Sequence, residues 1–188
     1  MHQHIAIMPK KLLITEMNRL SAQAFKSSEK IPLTVVLDNI RSLHNVGSVF
    51  RTCDAFRIEK IILCGNTGTP PHPEIHKSAL GAEYTMDWMH HSDTVEVIST
   101  LKNEGYTVFA VEQAHNSVSL DHLSLQTGVR YAIVIGNEVK GVQQVVVDGC
   151  DRCIEIPQFG TKHSLNVSVA AGIVIWHFFG LMKSSLNL

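Results

Sequence analysis

The chain has 188 residues, 45% of them hydrophobic and 18% charged, with a formal net charge of −1. That length suits one domain with a sizeable core, and the composition is that of an ordinary globular protein rather than a disordered or fibrous one. Near-neutral charge excludes a globally basic nucleic-acid binder, so any surface for a nucleic acid must be a local patch. The first thirty residues offer one candidate, with Lys10, Lys11, Arg19, Lys26 and Lys30 against Glu16 and Glu29. The plainer reading of the same charges is the solvated face of an amphipathic helix. Met17, Leu20 and Ala24 recur at helical spacing behind a possible cap at Thr15, which predicts a helix over 15–30 that Pro32 ends. Residues 1–30 are therefore expected to form a short helical extension, and 31–188 a single domain.

Leu33-Thr34-Val35-Val36-Leu37 is a continuous apolar run, the pattern of a strand buried on both faces. A polar loop over 38–44 precedes a helix from about Asn45 to Phe56, and Lys60 to Cys64 makes a second buried strand. Residues 65–73, rich in Gly, Thr and Pro, are a loop. Helices are predicted over 74–80, stopped by Gly81, and over 94–104, stopped by Gly105. Further strands follow at Thr107 to Val111, Tyr131 to Ile135 and Arg152 to Ile156, and a long apolar helix begins at Ser164. Strands alternating with helices imply a parallel sheet covered on both sides. No stretch reaches the ~20 apolar residues of a membrane span, and the leading residues lack the apolar run of a signal peptide, so the protein is expected to be cytoplasmic.

In parallel α/β sheets ligands bind beyond the carboxyl ends of the strands, and three such ends carry unusual residues. After the first strand come Asn39, Asn45 and Gly47, with Arg51 six residues beyond Asn45. The Arg51 guanidinium can reach a phosphate or carboxylate, or else pair with Asp54 on its own helix. After the fourth strand, Gly136-Asn137-Glu138-Val139-Lys140-Gly141 flanks a carboxylate with glycines that allow a ligand close to the backbone. It lacks the Lys-Ser/Thr of a phosphate-binding Walker loop, and no G-x-G-x-x-G follows any strand, which weakens nucleotide-hydrolase and NAD readings. After the fifth strand, Ile156-Pro157-Gln158-Phe159-Gly160 leads to Ser164-Leu165-Asn166-Val167-Ser168. There small polar side chains meet the free amides of a helix N-terminus, and Ser164 is the expected cap. Cys150 and Cys153 have the spacing of a redox or zinc pair but no second pair, and His72, His76, His90 and His91 fit no metal motif, so no metal is expected.

These three segments, in this order and spacing, resemble the SpoU–TrmH family of SPOUT RNA methyltransferases. The resemblance runs from Leu33 to Phe178: Asn39, Asn45-Val46-Gly47 and Arg51; then Ile135 to Val142; then Ile156 to Gly160 with Ser164 to Ala170. It implies an α/β SPOUT knot, a parallel sheet flanked by helices whose C-terminal part is threaded as a trefoil knot. It also implies S-adenosylmethionine as cofactor, a homodimer with sites near the subunit interface, and methylation of a ribose 2′-hydroxyl in tRNA or rRNA. By position, Arg51 matches the family's catalytic arginine, with Asn45, Ser164, Asn166 and Glu138 around the reacting centre. Glu112, Gly136, Ile156, Pro157, Ser164, Leu165 and Asn166 fall where the cofactor is expected. Gln158 departs from the family's proline or methionine. Three other readings stand beside this one: a base methyltransferase of the same superfamily, a non-catalytic RNA-binding homologue, and a flavodoxin-like binder of small molecules.

Overall fold

A computed structural model describes residues 9–185; the tips of the two expected regions, 1–8 and 186–188, lie outside it. Seven parallel strands form one sheet: β1 (Ile31–Asp38), β2 (Ile58–Cys64), β3 (Trp88–His91), β4 (Tyr106–Val111), β5 (Val118–Ser119), β6 (Arg130–Ile135) and β7 (Arg152–Glu155), in the order β3-β2-β1-β6-β4-β7-β5. The apolar runs alternate faces as a pleat requires. Val35, Leu37, Ile61, Leu63, Ile133 and Ile135 enter one core cluster, while Val36, Ile62, Cys64, Ala132 and Val134 enter another. Both faces are dry, which is why these strands show no polar alternation.

Helices α1 (Ala22–Ser27), α2 (Leu43–Ala55), α3 (Pro73–Ala79), α4 (Ala82–Thr85), α5 (Thr94–Asn103), α6 (Gln144–Gly149) and α7 (Val167–Met182) cover the sheet. The larger cluster is closed by Val46, Val49 and Phe50 of α2 and by Val174, Ile175 and Phe178 of α7. Helix α5, with α6, closes the other through Val97, Ile98, Leu101 and Val146. Termini follow local chemistry. Pro73 opens α3 and left-handed Leu80 and Gly81 (φ 52° and 96°) end it, while the Asp93 carboxylate caps α5 by accepting from the amides of Val95 and Glu96. Among the described residues no helix is long and apolar enough to cross a membrane.

Four expectations need correction. The helix predicted over 15–30 is a 3-10 turn at Ile14–Glu16, a left-handed Asn18 and then α1, capped by Ser21. Met17 and Leu20 stay exposed and only Phe25 reaches the core, so packing supports a single helical turn or two and no more. Helix α2 starts two residues early because Ser42, not a residue near Asn45, accepts the Asn45 amide. Helix α7 is capped by Asn166, whose Oδ1 accepts from the amides of Ser168 and Val169, leaving Ser164 outside the helix. The edge strands β3 and β5, of four and two residues, are too short and too polar to show a strand pattern, and α4 and α6 are similarly brief.

Candidate active site

The strand order places the carboxyl ends of β6, β4 and β7 side by side, and a cavity of about 360 Å³ opens there. Its walls come from Val111, Ile135, Ile156, Leu165, Val167 and Ala170, with polar groups from Glu112, Gln113, Glu138, His163 and Ser164. Gly136 is required by space. A Cβ there would lie 2.2 Å from the Gly141 carbonyl carbon and the Val142 nitrogen, so the chain after β6 folds directly back over it. That fold-back is held by Glu112, whose Oε2 accepts from the Val142 amide at 2.9 Å and whose Oε1 accepts from the Gln113 amide. Gln113 in turn donates through Nε2 to the His163 carbonyl at 2.7 Å, tying the β4 end to the loop before α7.

At the rim, Glu138 ties its own loop to the start of α2 through three hydrogen bonds. Its Oε2 accepts from the Arg41 amide at 2.9 Å, and its Oε1 accepts from the Ser42 amide at 2.9 Å and from Asn45 Nδ2 at 3.0 Å. The other end of the Asn45 amide, Oδ1, accepts from Asn166 Nδ2 at 3.3 Å. A continuous hydrogen-bonded chain thus runs from the β6–α6 loop through the start of α2 to the cap of α7. Burial opposes the charge on Glu138, yet the amides of Arg41 and Ser42 and the Asn45 side chain outweigh it and hold the carboxyl below its usual range. A carboxylate so engaged is a poor proton acceptor and a good brace. Asn137 fixes the same junction, donating to the Asn39 carbonyl at 2.7 Å while accepting from the amides of Val139 and Lys140.

The expected site residues divide between two places. Glu112, Gly136, Glu138, Ile156, Ser164 and Leu165 line the cavity, and Asn45 and Asn166 adjoin it through Glu138; Pro157 does not face it. Arg51 is elsewhere. Six residues past Asn45 on α2, it points about 120° around the helix and roughly 9 Å along it. It is exposed beside a second, open cavity of about 880 Å³. No ion pair with Asp54 forms; Asp54 instead accepts from Thr85 Oγ1 at 2.6 Å. Val111, Gln113, Val142, Glu155 and His163 also line the first cavity and went unforeseen. The signal that could have found Gln113 is position, since any strand end flanked by two ligand-bearing strand ends must share their crevice.

Comparison with known proteins gives the family and the fold. Residues 32–176 match the SpoU rRNA methylase family. The chain belongs to that family. It is 32% identical over 154 residues to a putative TrmH family tRNA/rRNA methyltransferase of Staphylococcus saprophyticus, covering 82% of this chain and 61% of the relative. The chain thus spans about three fifths of that relative's length. Among solved structures, the A. aeolicus TrmH/SpoU tRNA modifying enzyme superposes with a TM-score of 0.77 at 24% identity, over 87% of this chain and 82% of that one. An AdoMet-bound rRNA methyltransferase from Sinorhizobium meliloti superposes with a TM-score of 0.74 at 26% identity, over 82% of this chain and 59% of the other. The family fold, a parallel seven-stranded sheet flanked by helices, is the fold described above.

Proposed function

We propose that this chain methylates a ribose 2′-hydroxyl of tRNA or rRNA, using S-adenosylmethionine bound in the first cavity and acting as a homodimer with its C-terminal segment threaded as a knot. The observation that carries the reading is the joining of Glu138, Asn45 and Asn166 at the rim of a cavity made by three strand ends. The residues present fit the cofactor. The cavity is walled by backbone at Gly136 and by apolar side chains, and it carries the carboxylates of Glu112, Glu138 and Glu155 against the single cation of Lys140, a balance that suits a positively charged ligand. When bound, S-adenosylmethionine supplies a methyl group on a cationic sulfur.

The protein's own task is then to position the hydroxyl and stabilise it as it loses its proton. Glu138 keeps Asn45 and the α2 entry in register with the α7 entry, and Ser164, exposed at the cavity edge, is free to meet substrate. Arg51 lies off this cavity in its own chain and makes no hydrogen bond or ion pair among the described residues, so a second copy is the natural source of the arginine at each site. Its fork anchors a substrate phosphate and polarises the hydroxyl while remaining charged.

The test is transfer of labelled methyl from S-adenosylmethionine to unmodified tRNA and rRNA, followed by nucleoside analysis. A 2′-O-methylated nucleoside is expected, lost when the substrate is made as DNA. Arg51→Ala should lower turnover by roughly 10²-fold, in line with removing a charged donor aimed at the reacting group. Arg51→Lys should not rescue it; near-normal turnover would sink the role given to the fork, and methyl on a base would sink the ribose assignment.

A further inference from the structure

The second cavity is the feature that this reading leaves unused. It lies between the segment ahead of β1, the outer face of α2 and the α3–α4 junction, with Phe25, Leu20, Leu80 and Ala82 among its apolar walls. Three arginines border it, Arg19, Arg51 and Arg57, against one carboxylate, Asp54. Asp54 is already engaged with Thr85, and none of the three guanidinium groups has a hydrogen bond or ion pair among the described residues. Three guanidinium groups against one carboxylate leave a local excess of positive charge, in a chain whose net charge is −1. A local positive excess of this kind attracts a polyanion.

Arg57 adds a separate observation. It follows the C-terminal end of α2 with φ +50°, where glycine is the residue that the backbone favours. This turn sets Arg57 on the border of the cavity, just past the end of α2.

Resting on the methyltransferase reading above, we propose that this cavity binds one nucleotide of the substrate RNA next to the modified one. In it Arg19 and Arg57 clasp the phosphodiester, and the base lies on the apolar walls. A planar, always-charged fork suits a phosphate. At about 880 Å³ the space exceeds what an inorganic anion needs and accommodates a nucleoside as well. Arg51, on the border of the same cavity, links this phosphate to the reacting ribose.

Binding of pooled unmodified tRNA and rRNA-fragment transcripts to the full chain, measured by anisotropy across a salt series, tests the site. Arg19→Ala alters an exposed side chain, and Arg57→Gly suits the local backbone, so both variants should fold. Each should make the log–log salt dependence shallower by about 0.7–0.9 for the phosphate contact it loses, and the pair should bind roughly tenfold more weakly at low salt. Binding of S-adenosylmethionine should not change. If the wild type transfers methyl and the double variant keeps its slope and affinity, the cavity proposal falls and the activity stands. If the double variant instead changes its sedimentation with RNA binding intact, the arginines serve a subunit contact and the proposal again falls. A wild type that neither binds nor methylates RNA overturns both.

Discussion

Glu138 accepts three hydrogen bonds on two oxygens, from the amides of Arg41 and Ser42 and from Asn45. Glutamine at 138 would retain one acceptor and turn an NH2 group toward amides that themselves donate. Hydrogen bonds to charged groups are worth ~1.5–3 kcal/mol, so Glu138→Gln should cost about 2 kcal/mol. For a chain this size that is a fall in Tm of roughly 4–8 °C by calorimetry. The carboxyl is held below its usual range in the folded protein, so its contribution is present above the unfolded carboxylate range near ~4.3 and is lost as pH falls through the lower folded value. Stability of the wild type should therefore decline below about pH 4.5, more steeply than that of Glu138→Gln. An unchanged Tm at neutral pH, with identical acid sensitivity, would refute the bracing role. The type and place of this residue were legible in the chain, but its partners were not, because Asn45 lies ninety-three residues away.

At the scale of elements, α2 and α3 approach closely only because Gly47 has no side chain. A Cβ at that position would stand 2.2 Å from Ser78 Oγ and 2.3 Å from the Ile75 carbonyl oxygen. The hydroxyl can swing aside but the carbonyl cannot. Gly47→Ala should force the helices apart at about 1–3 kcal/mol, overriding the gain alanine normally brings inside a helix. A melting temperature at or above the wild type's would show that the contact yields freely. In the sequence Gly47 looked like part of a tight helix entry. The contact with α3 was invisible because it depends on how two helices seat on one sheet face. The same reasoning explains the segment over 15–30: its apolar spacing is helical, yet most of that face finds no core, and a left-handed Asn18 interrupts it.

At the scale of the whole molecule, Val169, Ile173 and Trp176 form an exposed apolar stripe on α7, with Trp176 58% exposed and packed against Phe56 and Phe179. An apolar stripe of this kind beside the site suits the second copy proposed above. Trp176→Glu should give a monomer in sedimentation equilibrium with its circular dichroism intact and its methyl transfer largely lost, since Arg51 and the cofactor cavity would no longer meet. A dimeric Trp176→Glu would move the interface elsewhere. The sequence alone determined the buried strands, the long apolar helix and the three polar strand ends that mark the family, because these are local patterns set by the pleat, the helical repeat and turn chemistry. Only the tertiary structure decided that β4 lies between β6 and β7, bringing Gln113 to the cavity beside Glu112, and that Arg51 faces away from it. Strand neighbours and helix rotation are set by burial between segments remote in the chain, which no local spacing records.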